Sequence, residues 1–225
     1  MTKPLRQAIE IIVRKLPVPK NILEIGSRLG KNQEELANLR PLFPHSNYTG
    51  TDMEPGAGVD RVLNGEKLPF KNGTIDLILC LETLEHTQKP WLVSHEIERV
   101  LKSGGFVIAS SQQNYPIHLH PYDYFRYTPW GLSQLFEQLT DRLVVTISPP
   151  FDDEVRLNPH HVILIGCKGS EMKFKNKLKT ALLNGRKDIS VHKPYRHRLR
   201  DGLKFIKRGI MESVYQEDIE FFDRI

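Results

Sequence analysis

A short apolar run, Ile22 to Ile25, passes through Gly26-Ser27-Arg28-Leu29-Gly30 into a helical pattern over 32–40, and this junction constrains the chain more than any other feature. A strand that turns at glycine straight into a helix is half of a βαβ unit, and such units build parallel sheets. Similar runs follow at Tyr48 to Thr51, Val59 to Leu63, Ile75 to Leu81 and Phe106 to Ala109, with another helical pattern over 91–101. The alternation predicts an α/β fold with a largely parallel sheet. Past Pro129 a helix (Trp130, Leu132, Leu135, Phe136, Leu139) leads to a strand over 143–147, and a polar loop leads to another over 161–167. With no helix between them, these last two strands should pair antiparallel.

Ahead of this core, Leu5, Ala8, Ile9, Ile12, Val13 and Leu16 share one face at helical spacing, so residues 4–16 read as an amphipathic helix ended by Pro17. Lys102-Ser103-Gly104-Gly105 reads as a turn between a helix and a strand, where glycine supplies positive φ. The main domain should span 1–169. Residues 170–225 read as an appendage, helical over 172–183 and 203–215 with a polar break at 184–197. Phe205, Ile206, Ile210 and Val214 there form an apolar stripe suited to docking.

Charge is distributed unevenly. From Lys168 to Arg208 fourteen Lys and Arg face three acids, a balance of +11, so the rest of a chain of net charge +5 carries −6. A segment this basic is either a solvated tail or a surface for anionic lipid, glycan or RNA, while the mildly acidic body is a poor nucleic-acid binder. Cys80 and Cys167 each lie within an apolar stretch and read as buried free thiols. No run approaches the ~18 apolar residues that span a bilayer, and Arg6, Glu10, Arg14 and Lys15 interrupt any signal-peptide core. A cytoplasmic location is expected, with the basic segment allowing peripheral contact with the inner face of a membrane.

The glycine turn lies at the carboxyl edge of a parallel strand, where open α/β sheets bind ligands. Asp52, 22 residues beyond Gly30 and after the next strand, is placed to accept ribose hydroxyls, which points to an adenosine ligand. A dinucleotide fits poorly. Its pyrophosphate needs Gly-x-Gly-x-x-Gly, whereas here the spacing is Gly-x-x-x-Gly with Arg28 in the middle, and Glu24 would repel a phosphate but suit an ammonium group.

The chain resembles the class I S-adenosylmethionine-dependent methyltransferases of the type 11 small-molecule group. The resemblance rests on Ile-Leu-Glu-Ile-Gly-Ser-Arg-Leu-Gly (22–30), Tyr-Thr-Gly-Thr-Asp (48–52), Leu-Pro-Phe (68–70), Ile-Asp-Leu-Ile-Leu-Cys (75–80), Leu-Glu-His (84–86) and Glu-Arg-Val-Leu-Lys-Ser-Gly-Gly (98–105). It implies a Rossmann-like seven-stranded sheet of order 3-2-1-4-5-7-6 with strand 7 antiparallel. It also implies S-adenosyl-L-methionine as cofactor, with Glu24, Gly26 and Gly30 at the methionine end and Asp52 on the ribose. Met53 would cover an adenine face, Asn64 and Gly65 would flank the adenine edge, and Cys80, Leu81 and Glu82 would pass the sulfonium. Many members carry glycine where this chain has Arg28.

Methyl transfer aligns a nucleophile with the methyl group and sulfur, and removes a proton when the acceptor is a hydroxyl. Residues 115–128 hold four Tyr, two His, an Asp and an Arg, a composition suited to gripping a polar ring such as a sugar. Candidate catalytic residues are His118, His120 and Asp123; alternatively Asp123 and Arg126 form a structural ion pair and the tyrosines simply pack. If 82–86 is helical, Glu82, Glu85 and His86 share a face and, with His118 or His120, can hold a divalent ion. Such motifs resemble those of metal-assisted O-methyltransferases; the other reading is that Glu85 and His86 fix the loop. The expected function is methyl transfer to a small polar acceptor, a sugar or glycan hydroxyl. The rival is a catalytically silent scaffold that binds RNA or other anionic partners through its basic tail.

Overall fold

The computed structural model describes residues 1–31, 33–118, 121–148, 159–189 and 218–223. Its strands are β1 (Asn21–Ile25), β2 (Asn47–Asp52), β3 (Arg61–Val62), β4 (Ile75–Leu81), β5 (Leu101–Gln112), β6 (Asp141–Ser148), β7 (His161–Cys167) and β8 (Asp218–Asp223). The helices are α1 (Lys3–Val13), α2 (Glu34–Ala37), α3 (Pro90–Val100), α4 (Pro129–Gln134) and α5 (Lys175–Ile189). One sheet runs β3-β2-β1-β4-β5-β7-β6-β8. Its first seven strands take the expected order: β1 to β5 pair parallel, and β7 runs antiparallel to both β5 and β6.

Period-2 alternation along the central strands divides the core. Ile22, Leu77, Leu79, Ile108, Ile163 and Ile165 face α1 and α5, whereas Leu23, Ile25, Ile78, Val107, Val162 and Leu164 face α3 and α4. Leu5, Ala8, Ile9 and Ile12 of α1 are fully buried, each large side chain contributing about 1.5–3 kcal/mol of burial. Thr2 caps this helix, its hydroxyl accepting from Leu5 N. Both cysteines are buried and free.

The expected helix over 32–40 is only the single turn α2. Asn38 leaves the helix with extended backbone and turns its Oδ1 onto Arg40 N at 3.2 Å, and Pro41 follows. Gly104 has the anticipated positive φ of +77°, but the turn forms a bulge inside the long β5 rather than its start, since Leu101 already pairs with Ile75.

The segment expected as a partly helical appendage needs a correction. α5 continues past 183 into the first residues of the anticipated break, to Ile189, and packs its Leu178 and Leu182 into the α1 face of the core. A Cβ on Gly185 would lie 2.4 Å from Ile11 Cδ1, so α5 and α1 approach closely. Asp218–Asp223 is a strand, β8, paired antiparallel with β6 and extending the same sheet. The unpaired backbone edge of β6 supplies the template for it. The expected helix at 203–215 and its apolar stripe lie outside the described residues.

Candidate active site

The turn after β1 is fastened to the loop after β2. Gly26 N and Ser27 N both donate to Thr51 O, Leu29 N donates to Ala57 O, and Ser27 Oγ donates to Gly58 O. Gly26 has φ +79°, and a Cβ there would lie 2.1 Å from Thr83 Oγ1, so no larger residue fits. Gly30 has open space around it, its nearest neighbour being Gln33 Cγ at 3.9 Å. Arg28 leaves the crevice open: its side chain crosses Gly56 to pair with Glu54 at the surface, while its backbone N donates to Asp52 Oδ2 at 3.3 Å. Asp52 Oδ1 also accepts from Glu54 N at 3.1 Å.

These contacts bring Glu24, Gly26, Gly30 and Asp52 to the carboxyl ends of β1 and β2. Met53 stands 69% exposed at the rim. Asn64 Oδ1 accepts from Glu66 N, and Gly65 packs against Ile25 and Val93. Glu24 is nearly buried and accepts from Tyr48 Oη at 2.7 Å; burial pushes its carboxyl up to about 7 against the lowering effects of Tyr48 and the Arg40 charge. Cys80 and Leu81 pack their side chains into opposite cores, so only their backbone reaches the sheet edge, and burial pushes the Cys80 thiol up.

Glu82 breaks the helical arrangement expected of 82–86. Among the described residues it is the one non-glycine with positive φ, at +51°, and only Leu84–His86 form a short 3-10 turn. Its carboxylate is held by the ends of β5 and β7. Ser110 Oγ donates to Oε1 at 2.9 Å, Gln112 Nε2 donates to Oε2 at 2.8 Å, and His161 Nδ1 lies 3.2 Å from Oε2. Burial alone would raise this carboxyl; the His161 charge and the hydrogen bonds hold it well below the usual range. His161 Nε2 lies 2.9 Å from Thr2 Oγ1, which ties the strand end to the cap of α1.

Glu85 is fully buried. Ser111 Oγ donates to its Oε2 at 2.7 Å, while Oε1 has no hydrogen-bond partner. Burial, and then the Glu82 charge, push its carboxyl up. Its backbone O accepts from Tyr124 N and Phe125 N, which pins the aromatic segment above the sheet edge. His118 joins Glu85 and His86 in a cluster whose potential ligand atoms lie within 4.8 Å of one another. Of the anticipated metal set, Glu85, His86 and His118 come together, while Glu82 is not in the cluster. Asp123 grips Arg126 in a bidentate pair at 2.5 Å and accepts from His118 N at 2.9 Å, so its carboxyl is held well below the usual range, first by Arg126. A carboxylate so engaged is a poor base; it positions His118. His120 lies outside the described residues.

Sequence reasoning assigned no role to Tyr48, Ser110, Ser111, Gln112 or His161. The polar Ser-Ser-Gln ending an otherwise apolar strand was the available signal for three of them. A separate cavity of about 260 Å³, lined by Leu16, Pro17, Asp76, Lys102 and Phe106 among others, opens at the opposite edge of the sheet and takes no part in the site.

Residues 23–109 match the family model described as "Methyltransferase domain", type 11. An uncharacterized methyltransferase of Mycobacterium leprae is 30% identical over 113 residues, 47% of this chain and 40% of that protein. The chain thus matches about two fifths of that relative's length. Among solved structures, the 1,6-didemethyltoxoflavin-N1-methyltransferase of Burkholderia thailandensis, with bound 1,6-didemethyltoxoflavin and S-adenosylhomocysteine, has a TM-score of 0.54 at 16% identity over 75% of this chain and 79% of its own. A SAM-dependent methyltransferase from Archaeoglobus fulgidus has a TM-score of 0.56 at 11% identity over 72% of this chain and 94% of its own. At such identities the structural likeness concerns the fold.

Proposed function

We propose that the chain, whose residues 23–109 match the type 11 methyltransferase family model, is a class I S-adenosylmethionine-dependent methyltransferase that methylates a hydroxyl of a polar ring acceptor, a sugar or glycan intermediate. S-adenosylmethionine is the methyl donor. Asp52 takes the ribose hydroxyls, and the ionised Glu24 attracts the ammonium group of the methionine portion. Gly30 leaves the donor room at the turn.

The acceptor reading is carried by the segment pinned to Glu85. Tyr115, Tyr122 and Tyr124 are 41%, 61% and 44% exposed, standing over the sheet edge rather than filling the core. Exposed aromatic faces beside charged and hydrogen-bonding groups suit a sugar, whose C–H face stacks while its hydroxyls bond. In the reaction the acceptor oxygen attacks the methyl carbon in line, the carbon–sulfur bond breaks, and sulfur keeps the electron pair as a neutral thioether. The hydroxyl proton passes to His118 or His120, with Asp123 orienting His118.

The basic stretch over 168–208 serves, in this reading, to hold the chain beside an anionic or membrane-borne acceptor. No helix of the described residues is long and apolar enough to cross a membrane. The apolar residues Leu178 and Leu182 of α5 are taken up by the core, so electrostatics would carry the attachment.

The test is a screen for labelled-methyl transfer to sugar nucleotides, lipid-linked glycans and matched amine acceptors. Transfer to a hydroxyl acceptor, reduced by Tyr122→Ala or Tyr124→Ala mainly through KM, is the expected result. Transfer to amines alone would overturn the hydroxyl assignment.

A further inference from the structure

We propose that Glu85, His86 and His118 form a binding site for one divalent transition-metal ion, with two imidazoles and one carboxylate as ligands. Three observations converge on it. The potential ligand atoms lie within 4.8 Å of one another, and the two rings stand edge to face with centroids 4.7 Å apart. The carboxylate comes from a fully buried residue whose Oε1 has no hydrogen-bond partner, while Ser111 fixes the other oxygen. A buried oxygen with no donor is costly unless something positive meets it.

The third observation is the outer ring of contacts. His86 Nδ1 lies 2.7 Å from Tyr122 O, a carbonyl that can only accept, so Nδ1 carries the proton and Nε2 the lone pair. His118 repeats the arrangement, with Nδ1 3.2 Å from both Pro116 O and Asp123 Oδ2. Metal-binding histidines are characteristically set in this way, with the second nitrogen donating to a carbonyl or carboxylate that fixes ring and tautomer. Asp123 is itself fixed by Arg126, so the support extends two residues outward.

The donor set selects the ion class. Imidazole with carboxylate favours zinc, manganese, iron, cobalt or nickel over calcium or magnesium, which prefer all-oxygen ligands. Ligand atoms around such an ion at about 2.1 Å lie roughly 3–4 Å apart, so separations within 4.8 Å need only a small adjustment.

Glu82 is excluded from the ligand set by its hydrogen bonds to Ser110 and Gln112 and its approach to His161. The consequence for catalysis rests on the methyltransferase reading. An ion here lies on the acceptor side of the sheet edge, where it would orient an acceptor hydroxyl and ease loss of its proton. His118 would then serve as ligand, and the proton would pass to His120 or to water.

The experiment titrates Co²⁺, then Zn²⁺, into the full chain after chelator treatment and without methyl donor, followed by calorimetry, visible cobalt absorption and thermal melting. One ion per chain is expected, with a raised Tm and a cobalt spectrum of low-symmetry coordination. Glu85→Gln and His118→Ala should each weaken binding by about tenfold or more, and Glu82→Gln by less than about twofold. His118→Ala also guards against misfolding, since its melting temperature without metal should match wild type. Absence of binding by folded wild type, binding unchanged in His118→Ala, or equal losses in Glu82→Gln and Glu85→Gln would overturn the assignment. The titration contains no methyl donor, so it fails separately from the methyltransferase reading.

Discussion

Tyr48 Oη donates to Glu24 Oε2 at 2.7 Å, so a hydroxyl from β2 favours the charged form of the one carboxylate of β1, against the effect of burial. With the Glu24 carboxyl near 7, apo protein at neutral pH is a mixture of protonated and ionised forms. Only the ionised form attracts an ammonium. Methyl-donor affinity should therefore rise with pH through about 7, and binding at pH 6.5 should release a fraction of a proton, read by calorimetry in buffers of different ionisation enthalpy. Tyr48→Phe removes a contact that lowers this pKa, so it should weaken binding at pH 7 and recover much of it by pH 8.5.

Glu24→Gln separates stability from binding. The native carboxyl titrates above its ordinary value of 4.5, so Glu24 contributes most to stability when protonated at low pH and loses that contribution as pH rises through about 7. At pH 8 the variant should unfold about 1–3 kcal/mol harder than wild type in urea, while binding the methyl donor at least tenfold more weakly.

Glu82 behaves in the opposite sense. Its native carboxyl is held below the ordinary 4.5, so its contribution is complete above that pH and disappears as the pH falls through the native value. Glu82→Gln should cost about 2–3 kcal/mol at pH 7 and much less at pH 3, measured by urea unfolding at both.

Arg28→Ala should change S-adenosylhomocysteine affinity by less than about threefold and stability by under ~1 kcal/mol, because the side chain reaches outward to Glu54 in an exposed pair. Gly26→Ala should be severe by contrast, combining positive φ with overlap on Thr83. Adding Thr83→Ala should recover the overlap but not the backbone strain, so thermal melting of the double variant should fall between Gly26→Ala and wild type.

Most of the sheet was legible because β1, β4 and β7 carry apolar runs bounded by turn residues, and that signal is local. β8 was not, since Asp218–Asp223 becomes a strand only by pairing with β6, 70 to 80 residues earlier in the chain. α2 was read too long because Asn38 and Pro41 act through a side-chain turn rather than through periodicity. In the site, Glu85, His86 and His118 were visible in sequence as one cluster, but Glu82 was grouped with them. The conditional helical spacing over 82–86 fails at Glu82, whose positive φ takes its carboxylate to Ser110 and Gln112.

The central claim is that the β1 and β2 ends hold S-adenosylmethionine, and calorimetric titration of S-adenosylmethionine and S-adenosylhomocysteine into wild type and Asp52→Ala tests it most directly. Loss of the ribose contacts should weaken both ligands at least about tenfold from a micromolar wild-type affinity. Folded wild type that binds neither ligand, or an Asp52→Ala variant that binds them as well as wild type, would contradict it.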